Sequence, residues 1–179
     1  KDIQSKDIAG IMYNQGHLKD KKQIIGTPFP KDNFIGTYFN IYHKERVTGD
    51  KLIVLKAKIA KDFAFPIING EKFIPEALIY NRISLKYKFL CKNTIVAYKE
   101  YLDDGYSANY FNLVKKNPQG NALYYLELYN LEPTYYNVYG YLLFSFLAKK
   151  KFSEIIKHPN KFRILILYIP VFLISLVRR

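Results

Sequence analysis

Apolar residues fall in short runs through the first two thirds of the chain and in helical patterns through the last third. Residues 8–13 (IAGIMY) are apolar, 14–22 polar and 23–26 (QIIG) apolar again, which predicts two short strands around a turn. Two prolines make 27–33 a loop. Residues 34–46 carry apolar side chains at mixed spacing and end at Thr48-Gly49-Asp50, a turn signal before the strand-like KLIVLKA of 51–57. A brief helix to about residue 63 is expected next. Pro66, Asn69, Gly70 and Pro75 concentrate irregular backbone in 65–75, and a helix opens at Glu76, Pro75 being suited to a first turn. That helix is expected to end near residue 86. A strand over 94–98 (TIVAY) follows, and the turn Asp103-Asp104-Gly105 leads to a helix ending near Lys116.

After Asn117-Pro118 the pattern becomes helical throughout, with helices predicted over 119–130, 134–149 and 152–157. The last segment, 164–177, is almost purely apolar, is interrupted by Pro170, and lies between Lys161 and Arg163 on one side and Arg178 and Arg179 on the other. It is shorter than the about 20 residues a bilayer span requires. The expected architecture is α/β over residues 1–117 followed by an all-α tail over 118–179, with no internal repeat and no long linker.

Hydrophobic residues at 49% against 24% charged, with 9 Gly and 8 Pro, imply a folded chain with a real core and exclude wholesale disorder. Lys and Arg number 28 against 15 Asp and Glu, a net charge of +13 whose field attracts phosphate-bearing partners without choosing among them. A single cysteine, Cys91, excludes an intramolecular disulfide and predicts a reducing, cytoplasmic setting; after the apolar Phe89-Leu90 it reads as a packing residue. His17, His43 and His158 are dispersed, without partners at metal-ligand spacing. The N-terminus lacks the features of a signal peptide, and the start at Lys1 suggests a piece of a longer chain. The 17 tyrosines and 13 phenylalanines are compatible with stacking on sugars and equally with packing between helices.

Two stretches carry a resemblance. The first is Gly70-Glu71-Lys72-Phe73-Ile74-Pro75-Glu76-Ala77-Leu78-Ile79-Tyr80-Asn81-Arg82-Ile83, preceded by Gly49-Asp50-Lys51 and Phe63-Ala64-Phe65-Pro66. The second is Tyr98-Lys99-Glu100-Tyr101-Leu102-Asp103-Asp104-Gly105-Tyr106-Ser107-Ala108-Asn109, followed by Lys116-Asn117-Pro118-Gln119-Gly120 and Leu123-Tyr124-Tyr125. Together they resemble bacterial family-2 glycosyltransferases, enzymes of capsule, lipopolysaccharide and other surface polysaccharide synthesis, over nearly the whole chain from about residue 8.

The resemblance implies the C-terminal, acceptor-side part of a GT-A domain (Rossmann-like, with a mixed sheet), followed by the helical tail. The family's N-terminal nucleotide-binding half and its Asp-x-Asp motif have no counterpart in this sequence, so the chain alone is expected to be inactive. In the whole enzyme Mg²⁺ or Mn²⁺ would neutralise the leaving diphosphate of a nucleotide-sugar, and a carboxylate would deprotonate the acceptor hydroxyl.

Glu76 falls at the family's base position, and its plain alternative is a helix-start carboxylate favoured by the macrodipole. Glu71 is the alternative base, or else a solvated loop acid beside Lys72. Arg82, about two turns past Glu76 and on nearly the same face, would reach a phosphate or pair with an acid. Asp103 and Asp104 stand where some relatives carry a histidine touching metal or diphosphate; they are candidates for substrate or metal contact, or an ordinary turn.

The expected partners are a nucleotide-sugar donor, a glycan or lipid-linked acceptor, and the cytoplasmic face of the membrane, peripherally met by the apolar segment 164–177 with Lys161, Arg163, Arg178 and Arg179 at anionic head groups. A core helix with a basic end is the alternative for that segment. A sheet deprived of neighbouring strands leaves edges that invite self-association. The competing reading is a basic, aromatic-rich module that binds membrane or nucleic acid without catalysis. No nucleic-acid recognition motif is present, and nucleic acid is not expected.

Overall fold

In the computed structural model, which describes residues 5–103, 105 and 109–178, the first apolar run becomes an inner strand of a mixed sheet. Strand β1 (Ile8–His17) lies between β4 (Lys88–Lys99), to which it is parallel, and β3 (Lys51–Leu55), to which it is antiparallel; β2 (Phe34–Gly36) flanks β4 antiparallel, giving the order β2-β4-β1-β3. A π-helical turn occupies Asn40–Lys44. The helices are α1 (Ala57–Asp62), α2 (Glu76–Ser84), α3 (Tyr110–Lys116), α4 (Pro118–Leu131), α5 (Tyr135–Leu147), α6 (Phe152–Ile155) and α7 (Lys161–Val177). The chain is therefore mixed α/β with an all-helical C-terminal stretch.

Compactness groups Lys1–Ala64 with Ile79–Asp103, and Phe65–Leu78 with Asp104–Arg179. The boundary expected at residue 117 lies inside the second unit, between α3 and α4. The chain passes from the second unit to the first within α2, after Leu78.

In the sheet unit Ala9, Met12, Phe89 and Cys91 from the two inner strands meet Ile59 of α1, Ile79 and Ile83 of α2, and Phe29, Ile41 and Val47 from the connections. The Cys91 thiol is pushed up to about 12 by burial, against a smaller opposing effect of Lys51, and the residue packs as expected. Gly10 is fixed by close approach, since a Cβ there would sit 2.0 Å from the Val54 carbonyl oxygen on β3.

Two strands depart from the sequence expectation. β1 continues through Asn14, Gln15 and Gly16, residues expected to turn, and 23–26 contributes only a bridge between Ile24 and Gly16. β4 begins six residues before the expected strand at 94. The reason in both cases is a bulge: Tyr13 pairs with Lys92 and Asn14 with Ile95, leaving Asn93 and Thr94 unpaired on β4. Asn93 uses the freedom fully. Its Oδ1 accepts from Asn14 Nδ2 (3.1 Å) and from the Phe29 N–H (2.9 Å), its Nδ2 donates to the Phe29 carbonyl (3.0 Å), and its own N–H donates to Asp32 (2.8 Å). A polar residue that weakens a strand pattern in sequence thus ties loop 27–33 to the sheet.

Gly49-Asp50-Lys51 performs a similar task. Lys51, only 9% exposed, donates to the carbonyls of Ile25 (3.3 Å) and Thr27 (2.7 Å) and stands over the Phe29 ring, 5.4 Å from its centroid. Burial lowers its ammonium pKa, and neighbouring Asp50 opposes the shift. Asp50 accepts from Lys99 (2.7 Å) and from the Tyr101 hydroxyl (2.8 Å). Partial burial would raise its carboxyl, but these two hydrogen bonds and the nearby lysine charges outweigh it and leave the pKa below the ordinary 3.8.

A carboxyl lowered in the folded state stabilises at pH above its unfolded value and loses that contribution as the pH falls through the folded one. In urea titrations followed by circular dichroism, wild type should exceed Asp50→Asn by up to about 1 kcal/mol at neutral pH, discounted for solvent screening. The difference should shrink steadily as the pH falls below about 4. A difference independent of pH would show that the carboxylate charge contributes nothing.

Candidate functional site

Loop 68–75 is held to the start of α4 by a reciprocal exchange of hydrogen bonds. Both carboxylate oxygens of Glu71 accept backbone N–H groups of α4, from Gln119 at 2.5 Å and Gly120 at 2.7 Å. In return the Asn117 side-chain carbonyl accepts the N–H groups of Lys72 (2.7 Å) and Phe73 (3.1 Å), while its Nδ2 donates to the Leu113 carbonyl (2.7 Å). The first N–H groups of a helix have no internal acceptor, and a carboxylate there also meets the positive end of the helix dipole. Pro118 opens α4 without a donor to satisfy, and Gly120 permits the approach. A Cβ on Gly120 would lie 2.9 Å from Ile74 Cγ1, 3.1 Å from the Phe73 carbonyl oxygen and 3.3 Å from Glu71.

This clamp frames a cavity of about 680 Å³ lined by Gly70, Lys72, Phe73, Glu76, Leu113, Lys116 and Asn117. Glu76 is the first residue of α2, exposed, with no hydrogen-bond partner among the described residues. Lys72, Phe73 and Glu76 also form part of a second cavity of about 420 Å³, with Phe65, Ile67 and Ile74 among its lining. The larger volume lies in the range of small-molecule sites, and its lining sets Phe73 and Leu113 beside three charged side chains. Chemically, one carboxylate can take a proton and two lysines can meet negative charge.

Glu71 lines the cavity of about 420 Å³, and both its carboxylate oxygens are engaged in capping α4. Arg82 is on α2, but six residues at 100° each turn its side chain about 120° from that of Glu76, so the shared face expected from the sequence is not formed. Arg82 is half-buried and has an interaction partner. Asp103 is an exposed turn residue. Asp104 and Arg179 lie outside the described residues. Among the described residues no group of three or more His, Cys, Asp or Glu gathers in a way that could hold a metal ion.

Lys72, Phe73, Leu113 and Lys116 were not singled out from the sequence. The available signal was the pairing of Gly-Glu-Lys-Phe with Asn-Pro-Gln-Gly, which are complementary cap and helix start. The aromatic residues serve mainly as packing. Tyr125 stacks on Phe144 at 5.7 Å between α4 and α5, Phe73 meets Tyr110 edge-on at 6.1 Å, and the Tyr125 and Tyr136 hydroxyls lie 3.5 Å apart. Burial pushes the Tyr124 hydroxyl up to about 12, with smaller contributions from Tyr110 and Tyr136. His158 is buried between Tyr129 and Tyr141, its Nδ1 accepts the Asn160 N–H, and burial lowers its pKa.

Of the basic residues expected at a lipid surface, Arg163 stands over the Tyr135 ring at 4.4 Å and donates to the Pro133 carbonyl, while Arg178 stands over Phe111 at 5.7 Å. Lys161 is exposed. Among the described residues no helix is long and apolar enough to cross a membrane.

Comparison with family models, with curated proteins and with solved structures finds no match.

Removing the Glu71 carboxylate leaves two N–H groups of α4 without their acceptor, so Glu71→Ala should destabilise by roughly 1.5–3 kcal/mol in urea titration. Asn117→Ala should cost a similar amount. Because each side chain holds the partner segment in place for the other, the double variant should fall short of the sum by about 0.5–3 kcal/mol. Strict additivity would show two independent caps.

Proposed function

We propose that this chain is the acceptor-binding part of a glycosyltransferase of the family-2 type, with Glu76 as the base that activates the acceptor hydroxyl. The observation that carries the reading is the position of Glu76 in the wall of a cavity built from both motif stretches. The mixed α/β sheet is compatible with a GT-A origin, and the family assignment itself rests on the motifs. The reaction is a displacement. The acceptor oxygen bonds to the anomeric carbon of a nucleotide-sugar, the bond to the diphosphate breaks with its electron pair leaving on the diphosphate, and the acceptor proton passes to the Glu76 carboxylate. In-line attack of this kind inverts the anomeric centre.

Phe73 and Leu113 offer apolar surface to a sugar face or a lipid chain, and Lys72 and Lys116 offer charge to a phosphate on the acceptor. This suits a glycan or lipid-linked acceptor of surface polysaccharide synthesis. The nucleotide-sugar donor and its divalent ion are the co-reactants on this reading.

Nuclear magnetic resonance titration with short glycans and isoprenyl-phosphate-linked sugars should shift the amides of Lys72, Phe73, Leu113 and Lys116, and Phe73→Ala should weaken the response. In the active enzyme Glu76→Gln should lower acceptor-dependent release of nucleoside diphosphate about 10²–10⁴-fold, with acceptor KM changed much less. An unaltered rate would remove Glu76 as base. Shifts produced by a mixed-sequence oligonucleotide and by none of the glycans would overturn the acceptor reading in favour of a binding module.

A further inference from the structure

Helix α7 is apolar around its whole circumference, and the fold covers only one side of it. Ile164, Val171 and Ser175 are buried, and Tyr168 and Phe172 meet Phe146 of α5 at ring distances of 4.9 and 5.4 Å. At 100° per residue, Phe162, Leu165, Ile166, Ile169, Leu173, Leu176 and Val177 project from the opposite side. All are exposed, Phe162 to 71%, Ile169 to 69% and Val177 to 90%. A helix apolar on every side is ordinarily enclosed, and a contiguous exposed patch of this kind marks an interaction surface.

The charges decide what covers it. No charged residue interrupts the face between Arg163 and Arg178, while both ends are basic. Residues 149–179 contain eight Lys and Arg against the single acid Glu154. Arg163 and Arg178 are held at the two ends of the helix by their stacking on Tyr135 and Phe111. A second copy would bring two such basic sets together and repel, whereas an anionic lipid surface supplies both the apolar layer and the opposite charge.

We propose that the outer face of α7 is a docking surface for an anionic lipid bilayer, with the helix lying along the interface and its basic ends at head groups. The inner face stays packed on α5, so the protein itself takes the place of the polar side of an interfacial helix. This inference does not rest on the catalytic reading.

The test is flotation of the chain with vesicles of phosphatidylcholine alone and of phosphatidylcholine mixed with phosphatidylglycerol. Binding is expected to the anionic vesicles, to weaken with salt, and to fall at least tenfold in Ile169→Asp with Leu173→Asp, positions exposed enough to leave the circular dichroism unchanged. Lys161→Glu should weaken binding about fivefold or more, the equivalent of one lost head-group contact. Binding that ignores lipid charge or survives the Asp substitutions would overturn the proposal. So would a light-scattering mass of a dimer that becomes a monomer in the same variants without any vesicle binding, which would make the covering surface a second copy.

Discussion

A helix begins with backbone N–H groups that have no acceptor within it, and α4 meets this need with a carboxylate from a loop 48 residues earlier. Because Asn117 answers in the other direction, neither segment is placed before the other. The pairing sets where loop 68–75 runs and so where α2 starts. It brings Lys72 and Phe73 to face Leu113 and Lys116 across the cavity, and it requires Gly120 where any Cβ would press on Ile74 and the Phe73 carbonyl. The cavity follows from the cap rather than from a fold designed around a pocket.

The sheet unit is built on the same economy of polar groups. Asn93 and Lys51 are polar residues in strands, and each spends its hydrogen-bonding capacity on the backbone of loop 23–33. That loop contains Pro28 and Pro30 and cannot join the sheet as a regular strand. Side chains reaching out from β3 and β4 replace the missing ladder, and Asp50 does the same for the far end of β4 through Lys99 and Tyr101. Asn93 and Lys51 are tolerated in strands because carbonyl and amide partners meet their polar groups.

Much of the helical part was legible because its punctuation is local. Pro118 after Asn117 and the break before residue 134 mark starts that the structure places within a residue of expectation, at Pro118 and Tyr135. The α2 start at Glu76 was legible for the same reason. The sheet was harder because its determinants are distant in sequence. Nothing near Asn93 announces a bulge partnered with Asn14 and Phe29, and the polar end of β1 resembles a turn until Asn14 is given its partner. The Arg82 error was geometric: a spacing of six was read as two whole turns, although two turns take just over seven residues. The capping role of Glu71 could be seen only once α4 was in place beside it.

Glu71 and Glu76 show why residue type and loop position do not fix a carboxylate's role. Both are glutamates in one short segment, and both were candidates for the same task. Glu71 meets two N–H groups aligned at a helix end, and both its oxygens are occupied by structure. Glu76 begins a helix, where the dipole favours its charge, yet its carboxylate remains exposed in a cavity wall with two lysines in the lining. A base must approach the proton it removes, and that requires an oxygen not already committed to the fold. What the backbone places within reach of each side chain sets this difference: the first glutamate is committed to the cap of α4, and the second is left exposed in the cavity wall.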